Sequence, residues 1–241
     1  MNQLPPDEYL PDDAENIIQN TRYLLNNRHQ AVIAMSSGGC ARYAFSLDVD
    51  YCLDRQGYPL IHYSSDNAHH HLIVTNSTMD FRIVRETSPD GMELSIFILT
   101  GMLTLVDPGD HDNIDRYSRY FDVNIENYSR GCERLYRFTP SQARNELISG
   151  ENNVLPVSEL IRKNVWTPSQ EQFLLEQGSS LLADKSANSN ELCFAGIDGY
   201  GADLVESGNI TRLPFEQFVD NPEEAQQELV RLIQSEPVLN P

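Results

Sequence analysis

The spacing of turn signals in the first half of the chain limits its possible folds more than any other feature. Ser36-Ser37-Gly38-Gly39, Asp54-Arg55-Gln56-Gly57 and Ser88-Pro89-Asp90-Gly91 each interrupt an apolar run. Gly, Pro, Asp and Ser favour turns because they supply unusual φ angles or local side-chain hydrogen bonds. The runs around them, His29–Met35, Tyr43–Leu53, Pro59–Tyr63, Phe81–Glu86 and Met92–Val106, are rich in β-branched and aromatic residues. Strands joined by tight turns pair antiparallel. A series of them closes into a barrel or stacks as a sandwich, because an open sheet leaves its edges bare. Cys132–Phe138 completes the series, with Tyr136 and Phe138 on one side and Leu135 and Arg137 on the other, and Pro140 predicts its end.

Helical signals flank these strands. Asp13-Ala14-Glu15-Asn16 opens a helix to about Asn27, with Ile17, Ile18, Leu24 and Leu25 on its inner side. His111–Phe121 reads as a short polar helix presenting Ile114, Tyr117 and Phe121. The polar stretch Gln142–Val157 reads as a linker. Beyond it, Thr167-Pro168-Ser169-Gln170 carries a capping hydroxyl and a first-turn proline, opening a helix to about Ala183. Strands over Leu192–Ile197, Ala202–Val205 and Ile210–Phe215 and a helix from Pro222 follow. The expected fold is α+β: an antiparallel barrel or sandwich with flanking helices over residues 1–160, then a small α/β module over 161–241.

Charge and composition exclude several functions. A net charge of −19 repels phosphate backbones and anionic lipid, so neither nucleic acid nor a membrane surface is an expected partner. No apolar run is long enough to span a bilayer, and the acidic start is unlike a signal peptide, so a cytoplasmic protein is expected. The four cysteines are scattered without a C-x-x-C pair, which fits reduced thiols rather than a zinc or redox motif.

Chemistry concentrates in Tyr58–Asn76. A strand runs into Ser64-Ser65-Asp66, whose side chains suit the start of a helix, and the next turn carries His69, His70 and His71. A strand feeding a helix N-terminus gathers N–H donors for an anion. Neighbouring residues on a helix point about 100° apart, so the three imidazoles cannot converge on one ion, though one could ligate heme iron or touch a phosphate. His62, on the preceding strand, could face the same site or sit satisfied in the barrel. Arg82 and Arg85 are candidate anion contacts; three apart on a strand, they face opposite ways. Arg116, Arg119 and Arg137 have the same standing. Asp48 and Asp50 share a strand face expected to meet water, and His29 and His111 read as surface or capping residues. No Ser-His-Asp pattern or phosphate loop appears.

After an opening helix, Ala31-Val32-Ile33-Ala34, the Tyr43 strand, Leu53-Asp54-x-x-Gly57-x-Pro59-Leu60 and Ser64-x-x-x-x-His69 resemble the pyridoxamine 5′-phosphate oxidase-like proteins, which are FMN-binding split β-barrels. Leu103–Val106, Arg116–Phe121, Leu135–Pro140, Gly196-Ile197-Asp198, Ala202-Asp203-Leu204 and Arg212–Phe215 are similar to later signatures of the heme-utilisation branch, which carries an extra C-terminal α/β module. The resemblance implies a split β-barrel homodimer with a small-molecule cofactor at the subunit interface. By position it puts Ser64, Ser65, His69, His70 and His71 where flavin members hold the FMN phosphate, and His69 or His70 is the candidate ligand should heme iron bind instead. Two departures stand out. His70 and His71 occupy positions where flavin members place a hydroxyl and a basic residue, and neutral imidazole is a weaker phosphate partner than arginine. No histidine follows His111, so the C-terminal histidine that ligates heme in degrading members has no counterpart. The implied function is heme binding or oxidative heme breakdown in iron use. The alternatives are an FMN-dependent oxidoreductase and a non-catalytic dimeric relative.

Overall fold

The computed structural model describes residues 12–35, 45–64, 78–85, 95–123, 126, 128, 133–147, 152–185 and 192–235. The barrel strands are β1 (Gln30–Met35), β2 (Phe45–Leu53), β3 (Pro59–Ser64), β4 (Met79–Arg85), β5 (Ser95–Leu105), β6 (Glu133–Leu147) and β7 (Asn152–Leu155). Their order is β3-β2-β1-β4-β5-β6-β7, and β3 also pairs with β6, which closes six strands into a barrel and leaves β7 outside the ring. Every pairing in it is antiparallel, as the turn spacing predicts.

Alternation fills the interior. Ile33, Tyr51, Phe81, Phe97, Leu99 and Phe138 are fully buried there. The Phe81 ring meets Tyr51 edge-on at 5.0 Å and lies 5.4 Å from Phe138. Burying each such side chain stabilises the fold by roughly 1.5–3 kcal/mol. Helix α1 (Asp12–Asn27) adds Ile18 and Leu25 to this core, and the Tyr51 hydroxyl donates to the Leu25 carbonyl at 2.9 Å.

Two expectations are corrected here. Pro140 does not end β6; the strand runs through it to Leu147. Proline is tolerated because the β5–β6 register shifts between Thr100 and Gly101, opposite this point. Gly101 permits the close approach, since a Cβ there would lie 2.7 Å from the Pro140 Cα. The stretch Gln142–Val157 is accordingly not a linker. Its ends form β6 and β7, which bury Ala143 and Leu155 opposite one another. The crossing to the second unit is made by α3 (Val157–Leu160) and the extended residues 161–167.

The second unit has α4 (Pro168–Lys185), β8 (Leu192–Asp198), β9 (Gly201–Glu206), β10 (Asn209–Pro214) and α5 (Pro222–Ser235), the α-β-β-β-α order expected. Leu174, Phe194, Leu204 and Leu229 lie in its core. Helix α2 (His111–Tyr120) lies between the two units. Ile114, Tyr117 and Tyr120 pack with Cys52, Leu60 and Leu135 of the barrel exterior and with Ala195 of β8. No helix of the described residues is long and apolar enough to cross a membrane.

Candidate functional site

Ser64 closes β3 opposite Glu133 of β6. Ser65, His69, His70 and His71 lie outside the described residues, as do Cys40 and Cys132. Arg85 is the last residue of β4. Arg82 stands in a register row that crosses the sheet from Asp48 through Val32, Arg82, Ile98 and Arg144 to Val154. The flanking Ile33, Phe81, Phe97 and Ala143 are buried toward the core, so this row faces outward.

The outward face carries one connected polar cluster. Arg82 pairs with Asp80 at 2.9 Å, and the Thr100 hydroxyl donates to Asp80 at 2.7 Å. Arg144 donates to Thr100 at 3.1 Å, to Asp80 at 3.3 Å and to Glu146 at 2.8 Å. Partial burial works to raise the Asp80 pKa, but hydrogen bonds from Thr100 and Arg82 and the charge of Arg144 outweigh it and hold the carboxyl below its usual range. Around this cluster Val84, Met102 and Val154 are exposed, Val154 at 81%. Two guanidiniums, each offset by a carboxylate and bordered by bare apolar side chains, suit an interface that also accepts an anion.

Other candidates have structural duties instead. Arg116 and Arg119 are engaged in ion pairs within the fold. Both point at Glu171 of α4, which is 0% exposed: Arg116 donates directly, Arg119 lies at 3.6 Å and Arg55 at 2.7 Å. Arg55 also holds Asp112 at 2.8 Å. Burial works to lower the Arg116 pKa, yet the Glu171 charge holds it above its usual value. Arg137 is paired with buried Asp54 at 2.7 Å. Glu171 gave no signal in the sequence, where it reads as one more first-turn acid of a helix.

His29 is half-buried rather than a free surface residue. Its ring lies 5.3 Å from that of Tyr120, and Nδ1 is 3.2 Å from the Tyr51 carbonyl. The Tyr120 hydroxyl donates to Asp203 at 2.5 Å, and Arg212 bridges Asp203 at 2.9 Å and Asp198 at 2.6 Å. His62 lies outside the barrel, 5.7 Å from Tyr128, 6.2 Å from Tyr117 and 3.7 Å from Glu133. Neighbouring Ile61 and Tyr63 point the other way, into the core. His111 is exposed at the start of α2, where Asp110 provides the cap, and Asp48 and Asp50 meet water as expected. Among the described residues no three His, Cys, Asp or Glu side chains gather as a metal site.

A separate cavity of about 1260 Å³ lies between α1, residues 160–165 and the second unit. Its walls include Arg22, Tyr23, Arg162, Lys163, Tyr200 and Phe218, and no histidine is among its described lining residues.

No protein-family model matches the sequence, and no curated protein matches it. Solved structures do. A protein of unknown function from Agrobacterium tumefaciens has a TM-score of 0.64 at 17% identity, covering 95% of this chain and 100% of that one. A heme binding protein from Mycobacterium smegmatis has a TM-score of 0.47 at 16% identity, covering 94% and 98%. A Clostridium acetobutylicum protein related to general stress protein 26, of the pyridoxinephosphate oxidase family, has a TM-score of 0.46 at 10% identity, covering 61% and 98%. At these identities the likeness is one of fold. The chain is thus an α+β split barrel with a C-terminal α/β module, a fold it shares along nearly its whole length with the Agrobacterium protein.

Proposed function

We propose that the chain is a homodimeric split-barrel protein that binds a planar, anionic cofactor, heme or a flavin nucleotide, beside the outward face of β4–β6. The observation that carries this reading is that face itself. Arg82 and Arg144 flank Ile98 there, beside exposed Val84 and Val154, so it has both an anion contact and an uncovered apolar surface. The heme reading takes its motivation from the sequence resemblance. Of the described histidines, His29 is packed against Tyr120, His62 lies under Tyr128, and His111 caps no open pocket. That leaves His69, His70 and His71, and in this reading the iron ligand is His69 or His70. Bound heme would supply a redox-active iron, and a flavin its ring. The chain's own part is to hold the anionic groups through Arg82, orient the ring and exclude water.

Absorption spectra on adding hemin or FMN test this, with light scattering to measure mass. The expected result is a dimer that gives a sharp Soret band with hemin, lost in His69→Ala or His70→Ala and weakened in Arg82→Ala. A flavin spectrum on adding FMN, weakened by the same arginine change, would select the flavin-dependent alternative. A monomer silent toward both ligands refutes the proposal.

A further inference from the structure

We propose that the cavity between α1 and the C-terminal module is a second binding site, specific for a small organic anion bearing an aromatic ring. Its charge runs against that of the chain. Five of the 17 basic residues line it, against four of the 36 acidic ones. Three of the five are matched: Arg22 by Glu159 at 2.9 Å, Arg116 by Glu171, and Arg212 by Asp198 and Asp203. Arg162 and Lys163 ion-pair with no carboxylate among the described residues, although the chain has acids to spare. Of the lining acids, Asp54 is held by Arg137 and by the backbone of its own turn, while Glu15 is exposed on α1. Two adjacent uncompensated cations in so acidic a protein attract an anion.

The aromatic part of the specificity comes from Tyr200 and Phe218. Their rings are 4.8 Å apart, and both side chains stay more than two-fifths exposed. Arg162 donates to the Tyr200 hydroxyl, and its guanidinium carbon lies 5.7 Å from the centroid of that ring, within cation–π range. A ring stacked on this pair would place its acidic substituent toward Arg162 and Lys163.

The walls are fixed before any ligand arrives. Gly57, at φ +86°, brings the β2–β3 turn against residue 162, where a Cβ would lie 2.5 Å from the Arg162 carbonyl oxygen. The Asn164 amide donates to the Arg55 carbonyl at 2.6 Å, and its side chain to the Ile197 carbonyl at 2.8 Å. Gly199 admits Phe218 in the same way, with a notional Cβ 2.5 Å from that ring. A preorganised wall lowers the ordering cost of binding. No residue of this cavity belongs to the face proposed for heme or flavin.

The test uses 8-anilinonaphthalene-1-sulfonate as the aromatic anion and N-phenyl-1-naphthylamine as its neutral counterpart. Binding is read by energy transfer from Trp166, the single tryptophan, which follows the lining residue Val165. The full-length protein is expected to bind the sulfonate saturably, at one site per chain, and the neutral amine far more weakly. Arg162→Ala with Lys163→Ala should weaken the sulfonate at least about tenfold without lowering Tm, and Arg162→Lys should restore part of it. Phe218→Ala should weaken it as well, while hemin and FMN titrations of all these variants stay unchanged. Equal binding of the two dyes, no transfer from Trp166, or a sulfonate affinity unmoved in the double variant overturns the proposal.

Discussion

Glu171→Gln tests how the two units are joined. The side chain is 0% exposed and faces Arg116, Arg55 and Arg119, whose side chains are 6%, 15% and 26% exposed. Glutamine keeps the size and removes the charge. Arg55 retains Asp112 and Arg119 retains the Ala195 carbonyl, so most of the loss falls on Arg116, which keeps only neutral oxygen acceptors. Breaking a buried pair from one side costs about 3–5 kcal/mol, because the remaining charge stays desolvated. For a protein of this size that lowers Tm by roughly 6–20 °C, at about 2–4 °C per kcal/mol. Thermal melts followed by circular dichroism measure it. Glu171→Gln with Arg116→Met should recover much of the loss, since the orphaned charge is gone and a methionine fills similar space. A loss under about 1 kcal/mol for Glu171→Gln, or a double variant no better than the single, refutes the reasoning.

Two further outcomes follow from the same junction. A Cβ on Gly196 would collide with the Tyr120 hydroxyl, so Gly196→Ala should cost about 1–3 kcal/mol in denaturant melts, and adding Tyr120→Phe should return part of that. Burial lowers the His29 pKa from 6.5, outweighing the nearby Asp203 charge, so the unfolded chain takes up a proton as pH falls through about 6.5 before the folded chain does. Stability present above that pH should decline below it, by at most about 1.4 kcal/mol per pH unit from this residue, and His29→Phe should flatten the slope in melts run from pH 7 downward.

The antiparallel strands were readable in the sequence because they alternate and their turns carry Gly, Pro and Asp; that they close as a barrel was implied by the family resemblance. The same cues failed where a tertiary feature overrode them. Pro140 reads as a strand end, but Gly101 on the neighbouring strand lets the backbone pass through it. Strand β7 has a single buried residue, Leu155, and so shows no period. Arg82 was legible as a candidate anion contact, yet the cluster that joins its partner Asp80 to Thr100 and Arg144 comes from register across three strands, which the linear chain does not display. The pairings of Glu171, Asp203 and Arg212 were not legible for the same reason: their partners are supplied by other elements of the fold.

Helix α2 makes the two halves of this architecture mutually dependent. Its two faces are spoken for by different halves of the chain, Tyr117 by the barrel and Tyr120 by Asp203 of the module. A gene cut after residue 160 would encode a barrel bearing Arg116 and Arg119 without Glu171, and a bare Tyr120. Removing the module would therefore strip partners from α2, and an exchange of modules between two such chains should succeed only where α2 and α4 come from the same one.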